Sequence, residues 1–564
     1  MMSITTHITK YKRHNNRYLF LLLIFLGSLF FTNIGSYPLD TPDGARYSEI
    51  PREMLATHDY VTPHLDGVKY FEKPPLFYWL QAGSLKVFGN TEFAANLVNA
   101  LMGLMTCVVV FFAISRLFGS LQGLFSALIL GTSAIFFVLA RVATLDMTLT
   151  LFLTTALLCF LLANKELSKS ARRNYLWLMY ICAALATMTK GLIGIVFPGC
   201  IILFWVLICN EWSKLKNYCI PVGILIFLII TLPWHILVQY RNPEFFNFYF
   251  LEQHFLRYFT DYAGRSQVWW FLPATVIGGF FPWIFWLPQA IRVNLPGSWR
   301  QNCKQHKNEL FLVIWAAFIY IFYTFSNSQL LPYTLPILPP LAILTGNYLT
   351  ANWHSLKNKS RGFNAGLYLV TIFCAVLGLI VFAVIFAGKV SLGAIPVRVV
   401  YSASIILFFG SLITILIYRH FGISRSLSFL IVSIAVFLFS ISPALTIAND
   451  HSIKPIAMVL KRQLSSETEV ACYKQYYQDL PFYLERIVTI VNYKGELAFG
   501  SENQVNSDDW LIDTETFWHR WDSKKKMFMI IDKRKYASLE NKSKHNFFVV
   551  TEGAHDLLLT NRID

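Results

Sequence analysis

The fold is decided by long apolar runs such as FAANLVNALMGLMTCVVVFFAI at residues 93–114. A helix needs about 20 mostly apolar residues to cross the hydrocarbon core of a bilayer. Runs of this kind recur along the chain and predict about thirteen spanning helices. The candidate spans are 18–34, 93–114, 120–140, 146–163, 174–188, 191–209, 218–238, 268–290, 309–325, 330–349, 364–387, 398–418 and 427–447.

The composition points to the same class of protein. Hydrophobic residues make up 55 % of the 564 residues and charged residues only 14 %, whereas soluble proteins carry roughly 25 % charged residues. A water-soluble enzyme, a disordered chain and a disulfide-built secreted scaffold are therefore excluded. The nine cysteines form no CxxC motif or Cys/His cluster, so neither a zinc knuckle nor a disulfide framework is predicted.

The net charge of +16 is explained by membrane topology. Lys and Arg concentrate in alternate short loops, as the positive-inside rule requires of cytoplasmic loops. This pattern predicts a cytoplasmic N-terminus and, with thirteen spans, an outer C-terminus. Nucleic acid, the usual partner of a strongly basic soluble protein, is not predicted as a partner. The basic inner loops contain Arg116, 165–173, 214–216, 292–307, 357–361 and 419–425.

Two domains are predicted. Residues 1–447 form the membrane domain, whose long outer loops 35–92 and 239–267 carry amphipathic helices at the membrane surface, one of them at 44–56. Residues 448–564 differ in composition and predict a small α/β domain on the outer side. Its strand candidates are the short apolar runs 469–473, 487–491, 527–531 and 547–551.

Charged residues at the ends of the spans are candidates for function, because they are scarce in this chain. They form clusters that all fall on the outer side of the predicted topology. We therefore expect one outward-facing cavity with acids and phosphate-binding cations. The clusters are 40–54, 70–79, Arg141 with Asp146, Lys190, 252–258 around His254, and the Pro-interrupted segment 326–336.

Four of the clusters also have a purely structural interpretation. Residues 40–54 are equally typical of an interfacial helix laced with salt bridges, and 70–79 of an aromatic belt at the membrane interface. Asp146 begins a span and could act only as a helix cap. A lone histidine such as His254 is more often structural than a metal ligand.

The combination of Asp43, Arg46, Tyr47, Glu49, Ile50, Arg52, Glu53 and Met54 with Tyr70-Phe71-Glu72-Lys73-Pro74 at this spacing resembles the bacterial lipid A aminoarabinosyltransferase (ArnT) family. The resemblance runs from Asp40 to about Pro340. That family belongs to the polyprenyl-phosphate-dependent glycosyltransferases, which include protein O-mannosyltransferases. The resemblance implies an all-α polytopic membrane fold of the GT-C type with a small C-terminal α/β domain.

The resemblance also implies a reaction and its location. The donor is an undecaprenyl phosphate-linked sugar, 4-amino-4-deoxy-L-arabinose or a hexosamine, and the acceptor is a phosphate of lipid A. The enzyme is then a multi-pass inner-membrane protein that acts at the periplasmic face. Decorating lipid A in this way lowers its anionic charge and confers resistance to cationic peptides.

By position, the resemblance assigns roles to individual residues. Asp43 corresponds to a catalytic aspartate, and Asp146 to a second acidic residue beside the site. Arg46, Lys73, Lys190 and Tyr333 correspond to residues that hold the donor phosphate. Glu72 and His254 correspond to ligands of a divalent metal, with zinc expected. One departure is Gln329, which stands where relatives commonly have a lysine.

The chemistry of such a transfer gives its own expectations. Fixed cations stabilise the charge that develops on a departing lipid phosphate. An acceptor phosphate is already anionic and needs no strong base, so Asp43 would orient the acceptor or balance an amino group on the sugar. A single displacement that inverts the anomeric carbon is expected. The alternatives are a protein O-glycosyltransferase, whose hydroxyl acceptor would require a carboxylate base, and a lipid or solute transporter.

Overall fold

The computed structural model describes residues 2–262, 264–351, 353, 360–387, 397–443, 452–540 and 545–562. Residues 1–447 are almost entirely helical in their described part. Their helices are α1 (Met2–Phe31), α2 (Asp43–Thr57), α3 (Leu76–Phe88), α4 (Glu92–Leu117), α5 (Ser120–Gly131), α6 (Ala134–Leu139), α7 (Leu145–Lys165), α8 (Lys169–Lys190), α9 (Ile193–Cys209), α10 (Ile220–Arg241), α11 (Arg257–Phe259), α12 (Phe271–Gly279), α13 (Leu287–Asn294), α14 (Trp299–Gln305), α15 (Lys307–Thr324), α16 (Leu338–Ala351), α17 (Arg361–Phe386), α18 (Val397–Phe421) and α19 (Ile423–Ile441).

The multi-pass helical fold predicted from the apolar runs is confirmed. Seven described helices are each long and apolar enough to cross a membrane, and an eighth span forms if the bent pair 271–279 and 283–294 counts as one. The two arms of that pair meet at 95°. Every predicted span has a helical counterpart, but several are shorter or broken, as where α5 and α6 divide 120–140. The end of the last predicted span, from residue 444 onwards, lies outside the described residues.

The helices divide into central and peripheral ones. The central helix α7 is buried along nearly its whole length, whereas α10 and α17 leave most of their apolar side chains exposed. Exposed leucine and isoleucine side chains on α10 and α17 fit a hydrocarbon environment, in which they face lipid rather than water. The α7 and α8 helices pack against each other with a short connection, so the start of α7 and the end of α8 meet at the same end of the bundle.

The C-terminal α/β domain is also confirmed. Its six-stranded sheet has the order β5-β4-β3-β6-β8-β7, in which β3 to β6 are parallel and β7 and β8 are antiparallel additions at one edge. The predicted run 469–473 is a strand with those bounds. The elements are α20 (Lys454–Lys461), β3 (Glu469–Tyr473), α21 (Leu480–Leu484), β4 (Thr489–Val491), α22 (Ala498–Glu502), β5 (Leu511–Ile512), α23 (Thr514–Trp521), β6 (Met527–Asp532), α24 (Lys533–Glu540), β7 (Phe548–Glu552) and β8 (Asp556–Thr560).

The C-terminal domain docks on the two long loops that the sequence analysis assigned to the outer side, residues 35–92 and 239–267. The first of them contains a hairpin of β1 (His64–Leu65) and β2 (Val68–Lys69), whose turn residues Asp66 and Gly67 both have positive φ, as a two-residue hairpin turn requires. The buried Asp66 carboxylate accepts the Val488 N–H (3.0 Å), and Trp510 Nε1–H donates to the Asp66 carbonyl (2.9 Å). Phe499 stacks on Phe248 with ring centroids 3.8 Å apart.

This docking changes the environment of α2. The helix predicted at 44–56 is present as α2, and all residues from Gly44 to Met54 are buried. Apolar side chains of α2, α3 and the C-terminal domain form one continuous core. Because the C-terminal domain covers its second face, α2 lies inside the protein rather than with one face in water.

Because the C-terminal domain packs on the loops 35–92 and 239–267, we expect it to stabilise both of them. Phe499→Ala removes a stacked ring from this interface, and we expect a loss of about 2 kcal/mol, below the cost at a fully buried site. Thermal unfolding in detergent and limited proteolysis around residue 450 would measure this loss. Val505→Ala, at a side chain that is 86 % exposed on the same domain, should change neither. Equal behaviour of the two variants would contradict the docking role.

Candidate functional site

The first part of the site is an ion chain that begins at Asp43, the first residue of α2. Arg46 lies one turn later on the same helix, with Nη1 3.2 Å from Asp43 Oδ1. Its Nη2 lies 2.5 Å from Oε2 of Glu496, which belongs to the C-terminal domain. The Arg46 side chain is buried, whereas the Asp43 side chain remains 30 % exposed. Asp43 is therefore held in place by Arg46 and still accessible to a substrate.

A second part is formed where α7 begins and α8 ends. The Lys190 ammonium, at the last residue of α8, contacts Asp146 Oδ1 in the first turn of α7. The same ammonium lies 4.3 Å from the ring centroid of Tyr333, which stacks on Tyr323. The packing of α7 against α8 brings Asp146 and Lys190 together, and the 3-10 helix Leu331–Ile337, which packs on α7, adds Tyr333. A helix cap alone does not account for this buried ion pair.

A third part joins the two outer loops. Arg257 Nη1 lies 3.2 Å from Glu72 Oε2 and donates to Gln253 Oε1 (2.8 Å). Lys73 donates to the Glu72 carbonyl oxygen (2.9 Å) and forms no ion pair with any described residue. Burial alone would raise the pKa of Glu72, but Arg257, Arg46 and Lys73 lower it to about 2. Glu72 is therefore a carboxylate at every physiological pH.

The second and third parts contribute Lys190, Tyr333, Lys73 and Arg257 to one cavity of about 520 Å³, whereas the ion chain of Asp43 does not line it. Its wall combines the three cations Lys73, Lys190 and Arg257 with aromatic and aliphatic side chains, among them Tyr333 and Val196. Burial, followed by the charge of Arg257, lowers the pKa of Lys73 well below its usual value. A half-buried lysine that has no ion-pair partner among the described residues can bind an incoming phosphate, because the phosphate offsets the desolvation of its ammonium.

His254 lines the same cavity but is already engaged by its surroundings. Its Nε2 accepts the Leu192 N–H (3.2 Å), so Nδ1 carries the proton that it donates to the Tyr249 carbonyl (2.6 Å). Burial lowers the pKa of His254 to about 4, and the imidazole is neutral at pH 7. Gly191, with φ +88°, makes the contact possible, because a Cβ there would lie 2.2 Å from Nε2.

This arrangement does not fit a metal ion. Among the described residues there is no group of three or more His, Cys, Asp or Glu side chains that could hold one. Glu72 is paired with Arg257, and both nitrogens of His254 have partners. A metal bound by Glu72 and His254 would require both of these contacts to open.

Other residues of the predicted clusters have structural roles. Arg141 is buried and donates to the carbonyl oxygens of Leu29 (2.8 Å) and Thr32 (2.7 Å), so it caps the end of α1. Arg52 forms a bidentate pair with Glu49 (2.6 and 2.7 Å) within α2. These guanidinium groups satisfy buried acceptors and are not available to a substrate.

Two site residues were given no role by the sequence analysis. Arg257 lies three residues after His254 in an already recognised cluster, and only the contact with Glu72 reveals its importance. Glu496 is separated from Arg46 by most of the chain, and no sequence signal connects them. Gln329 stands where a lysine was expected. Its side-chain amide donates to the carbonyl oxygens of Tyr323 (3.1 Å) and Ser326 (3.3 Å).

Comparisons with known proteins agree with the fold. The family pattern of dolichyl-phosphate-mannose-protein mannosyltransferases matches residues 72–237, and that of the aminoarabinose transferase C-terminal domain matches 456–561. The crystal structure of ArnT from Cupriavidus metallidurans bound to undecaprenyl phosphate superposes with a TM-score of 0.86 at 28 % identity, over 97 % of this chain and 98 % of that one.

Curated relatives give the same family. Undecaprenyl phosphate-α-4-amino-4-deoxy-L-arabinose arabinosyl transferases from Aeromonas hydrophila and Yersinia enterocolitica are 31 % and 30 % identical over 352 and 373 residues. These alignments span 62 % and 65 % of this chain, and 62 % and 66 % of the relatives' own lengths. Fold and matches are those of a polytopic membrane protein similar to the polyprenyl-phosphate-dependent glycosyltransferases. Within that class, the chain is similar to the ArnT family, both in its membrane part and in its C-terminal domain.

Asp40, beside Asp43, gives a prediction on pH. Burial and the charge of Asp43 raise the pKa of Asp40 to about 6. A carboxyl group whose folded-state pKa is raised contributes stability below its unfolded pKa, and this is lost as the pH rises through about 6. Asp40→Asn should therefore unfold at a higher temperature than the parent protein at pH 7.5, by about 1–2 kcal/mol in stability.

The same comparison at pH 4.5 should give a much smaller difference, because most Asp40 side chains are then protonated. Thermal unfolding in detergent at both pH values measures this. Asp508→Asn, at an exposed carboxylate of the C-terminal domain, is the matched control. A stability gain of Asp40→Asn that does not depend on pH would contradict the assignment.

Proposed function

We propose that this protein transfers an amino sugar from undecaprenyl phosphate to a phosphate of lipid A. The observation that carries the proposal is the cavity in which Lys73, Lys190 and Arg257 converge among apolar and aromatic side chains. Such a wall suits a phosphate joined to a polyprenyl chain. The family relatives are named for an undecaprenyl phosphate-aminoarabinose donor, and the Cupriavidus metallidurans structure contains undecaprenyl phosphate.

The proposed location follows from the distribution of Lys and Arg among the loops. We place the N-terminus in the cytoplasm and the C-terminal domain in the periplasm, because the basic loops then all face inwards. The protein is accordingly a bacterial inner-membrane enzyme. Its acceptor and its lipid-linked donor both reach the site from the outer leaflet.

Charge balance explains how the cavity would favour the leaving group. Asp146 and Glu72 neutralise two of the three cations, since they pair with Lys190 and Arg257. Lys73 has no ion-pair partner among the described residues, and the negative charge of an incoming phosphate would favour its protonated form. A cation held in position before the reaction stabilises the charge that develops on the departing phosphate. This is the main requirement of the transfer.

The transfer itself needs little proton chemistry. An oxygen of the acceptor phosphate attacks the anomeric carbon, and the bond from that carbon to the carrier phosphate oxygen breaks. Undecaprenyl phosphate leaves with the bonding electron pair, and the configuration at the carbon inverts. Asp43, held by Arg46, orients the acceptor or balances the ammonium of the sugar. Asp146 positions Lys190, and Tyr333 supports it through the face of its ring.

A protein O-glycosyltransferase is the second candidate, favoured by the match of residues 72–237 to the mannosyltransferase family pattern. In that case the acceptor is a Ser or Thr hydroxyl, and Asp43 has to act as a general base. The match of residues 456–561 to the aminoarabinose transferase domain favours the lipid acceptor. Transport is disfavoured, because the charged residues of the site gather at one end of the bundle and not along a path through it.

The proposal predicts the effect of removing the unpaired cation. Lys73→Ala should lower transfer about 100- to 1,000-fold, the usual cost of losing one electrostatic contact to a transition state. Mass spectrometry of lipid A from cells with and without the variant measures this, and the added mass identifies the sugar. Lys86→Ala, at an exposed lysine on α3, should leave transfer unchanged. Full activity of a correctly inserted Lys73→Ala variant would refute the site, and a glycan found on protein would favour the second candidate.

The metal is a separate prediction. If Glu72 and His254 bind zinc or another divalent ion, chelation should abolish transfer and added metal should restore it. Glu72 is paired with Arg257, so we expect a metal ion to bind tightly to Glu72 only after Arg257 has moved to another partner. Unchanged transfer after chelation, together with full activity of His254→Gln, would remove the metal from the mechanism.

A further inference from the structure

The C-terminal domain has the topology of a ligand-binding sheet. Its strands β4 and β6 lie on opposite sides of β3, and all three are parallel. The chain therefore leaves β3 towards one side of the sheet and returns on the other. In open α/β sheets, ligands bind outside the carboxyl ends of the strands at this point of reversal.

A cavity of about 510 Å³ lies at that position. Its wall is formed by residues that follow β3 (475–479), residues that follow β6 (532–534), the turn before β8 (554–556), and Thr41 of the first outer loop. We call this cavity the switch-point crevice. It shares no lining residue with the cation-lined cavity of the proposed donor site. The two cavities are therefore separate.

The side chains of the crevice suit a sugar that carries phosphate. Gln475 and Gln478 offer amides, and Tyr477 donates its hydroxyl to Asp556 (2.6 Å). Arg534 forms an ion pair with Asp532 (3.0 Å between Nη2 and Oδ2), and most of the Arg534 side chain is exposed. Amides and carboxylates bind sugar hydroxyl and amide groups, and Arg and Lys bind phosphate.

One buried carboxylate oxygen in this wall, Oδ1 of Asp479, accepts no hydrogen bond from the described residues. The Asp479 side chain is 1 % exposed, and its Oδ2 accepts from Ser452 Oγ (2.7 Å) and from the Ile453 N–H (3.0 Å). Its Oδ1 has no hydrogen-bond partner among the described residues. A buried carboxylate oxygen without a donor is costly, and a hydroxyl or amide of a bound ligand would satisfy it. Burial raises the pKa of Asp479 to about 6, as expected for an unmet acceptor.

The crevice is joined to the ion chain of Asp43 by polar contacts. Gln478 Nε2–H donates to Glu496 Oε1 (2.9 Å), and Glu496 Oε2 contacts Arg46, which holds Asp43. Thr41 precedes Asp43 by two residues, so their Cα atoms are at most about 7.6 Å apart along the chain. A ligand in the crevice therefore ends close to the carboxylate at which the acceptor is expected.

We propose that the switch-point crevice binds the phosphorylated sugar headgroup of the acceptor lipid and directs its phosphate towards Asp43. This inference rests on the proposed function, because it names the acceptor site of the same transfer. The donor is not the expected occupant, since its phosphate-binding cations line the other cavity. The largely polar wall also excludes acyl chains, which stay in the membrane.

The test fills the crevice without removing a contact. Ala554 lines the crevice and is exposed, so Ala554→Trp blocks the space while leaving the buried core intact. We expect its KM for lipid A to rise about tenfold or more. Its Kd for undecaprenyl phosphate should stay unchanged, because the donor cavity is separate. Val505→Trp, at a highly exposed position of the same domain, is the matched control and should behave as the parent protein.

A soluble probe separates headgroup recognition from other effects. The bisphosphorylated glucosamine disaccharide, without acyl chains, should compete with lipid A in the parent protein and about tenfold more weakly in Ala554→Trp. Inorganic phosphate should compete far less than the disaccharide. If inorganic phosphate competes equally well and is equally weakened by the substitution, the crevice is only an anion site and the inference is wrong.

The outcomes for the inference and for the proposed function differ. If the purified parent protein does not transfer sugar to lipid A but still binds undecaprenyl phosphate, the proposed acceptor is wrong, and the inference falls with it. If the parent protein transfers sugar and Ala554→Trp has an unchanged KM for lipid A, the function stands and the crevice is not the acceptor site. An unchanged Kd for undecaprenyl phosphate shows that the Ala554→Trp variant is folded.

Discussion

The buried guanidinium of Arg46 is the constraint on which the outer face depends. A buried positive charge is costly unless anionic partners or hydrogen-bond acceptors offset its desolvation. Here these partners come from two distant parts of the chain, Asp43 on the same helix and Glu496 in the C-terminal domain. The charge balance at the start of α2 is therefore complete only when the C-terminal domain is docked. The domain belongs to the site as well as to the scaffold.

The bundle concentrates its charges by a simple geometric rule. Spanning segments are apolar, so ionisable residues are confined to helix ends and loops. The packing of α7 against α8 brings Asp146 to Lys190, and the two outer loops bring Glu72 to Arg257. At the opposite ends of α7 and α8, the basic residues have structural partners instead. Lys165, for example, donates to the last carbonyl oxygens of α4 at Arg116 (2.8 Å) and Leu117 (2.7 Å).

Much of this could be predicted from the sequence, because it follows from local patterns. Apolar runs define the helices, and the short runs near 470 and 529 define the central strands of the sheet. The spacing of Asp43, Arg46 and Lys73 was sufficient to select these residues as candidates. Partners across the fold could not be predicted in this way. Arg141 has the same charge and the same predicted side of the membrane as Arg46, yet it caps α1, and only its contacts distinguish the two. Glu496 has no local signature.

The glycine between α8 and α9 has a consequence for motion. Gly191 follows Lys190 directly, and the imidazole of His254 packs against its bare backbone. His254 in turn lies three residues before Arg257 on the second outer loop. The ammonium of Lys190 and the guanidinium of Arg257 are thereby mechanically linked through one tight contact. A side chain at position 191 would overlap the imidazole of His254 and push the loop away, and the spacing between the two cations would change with it.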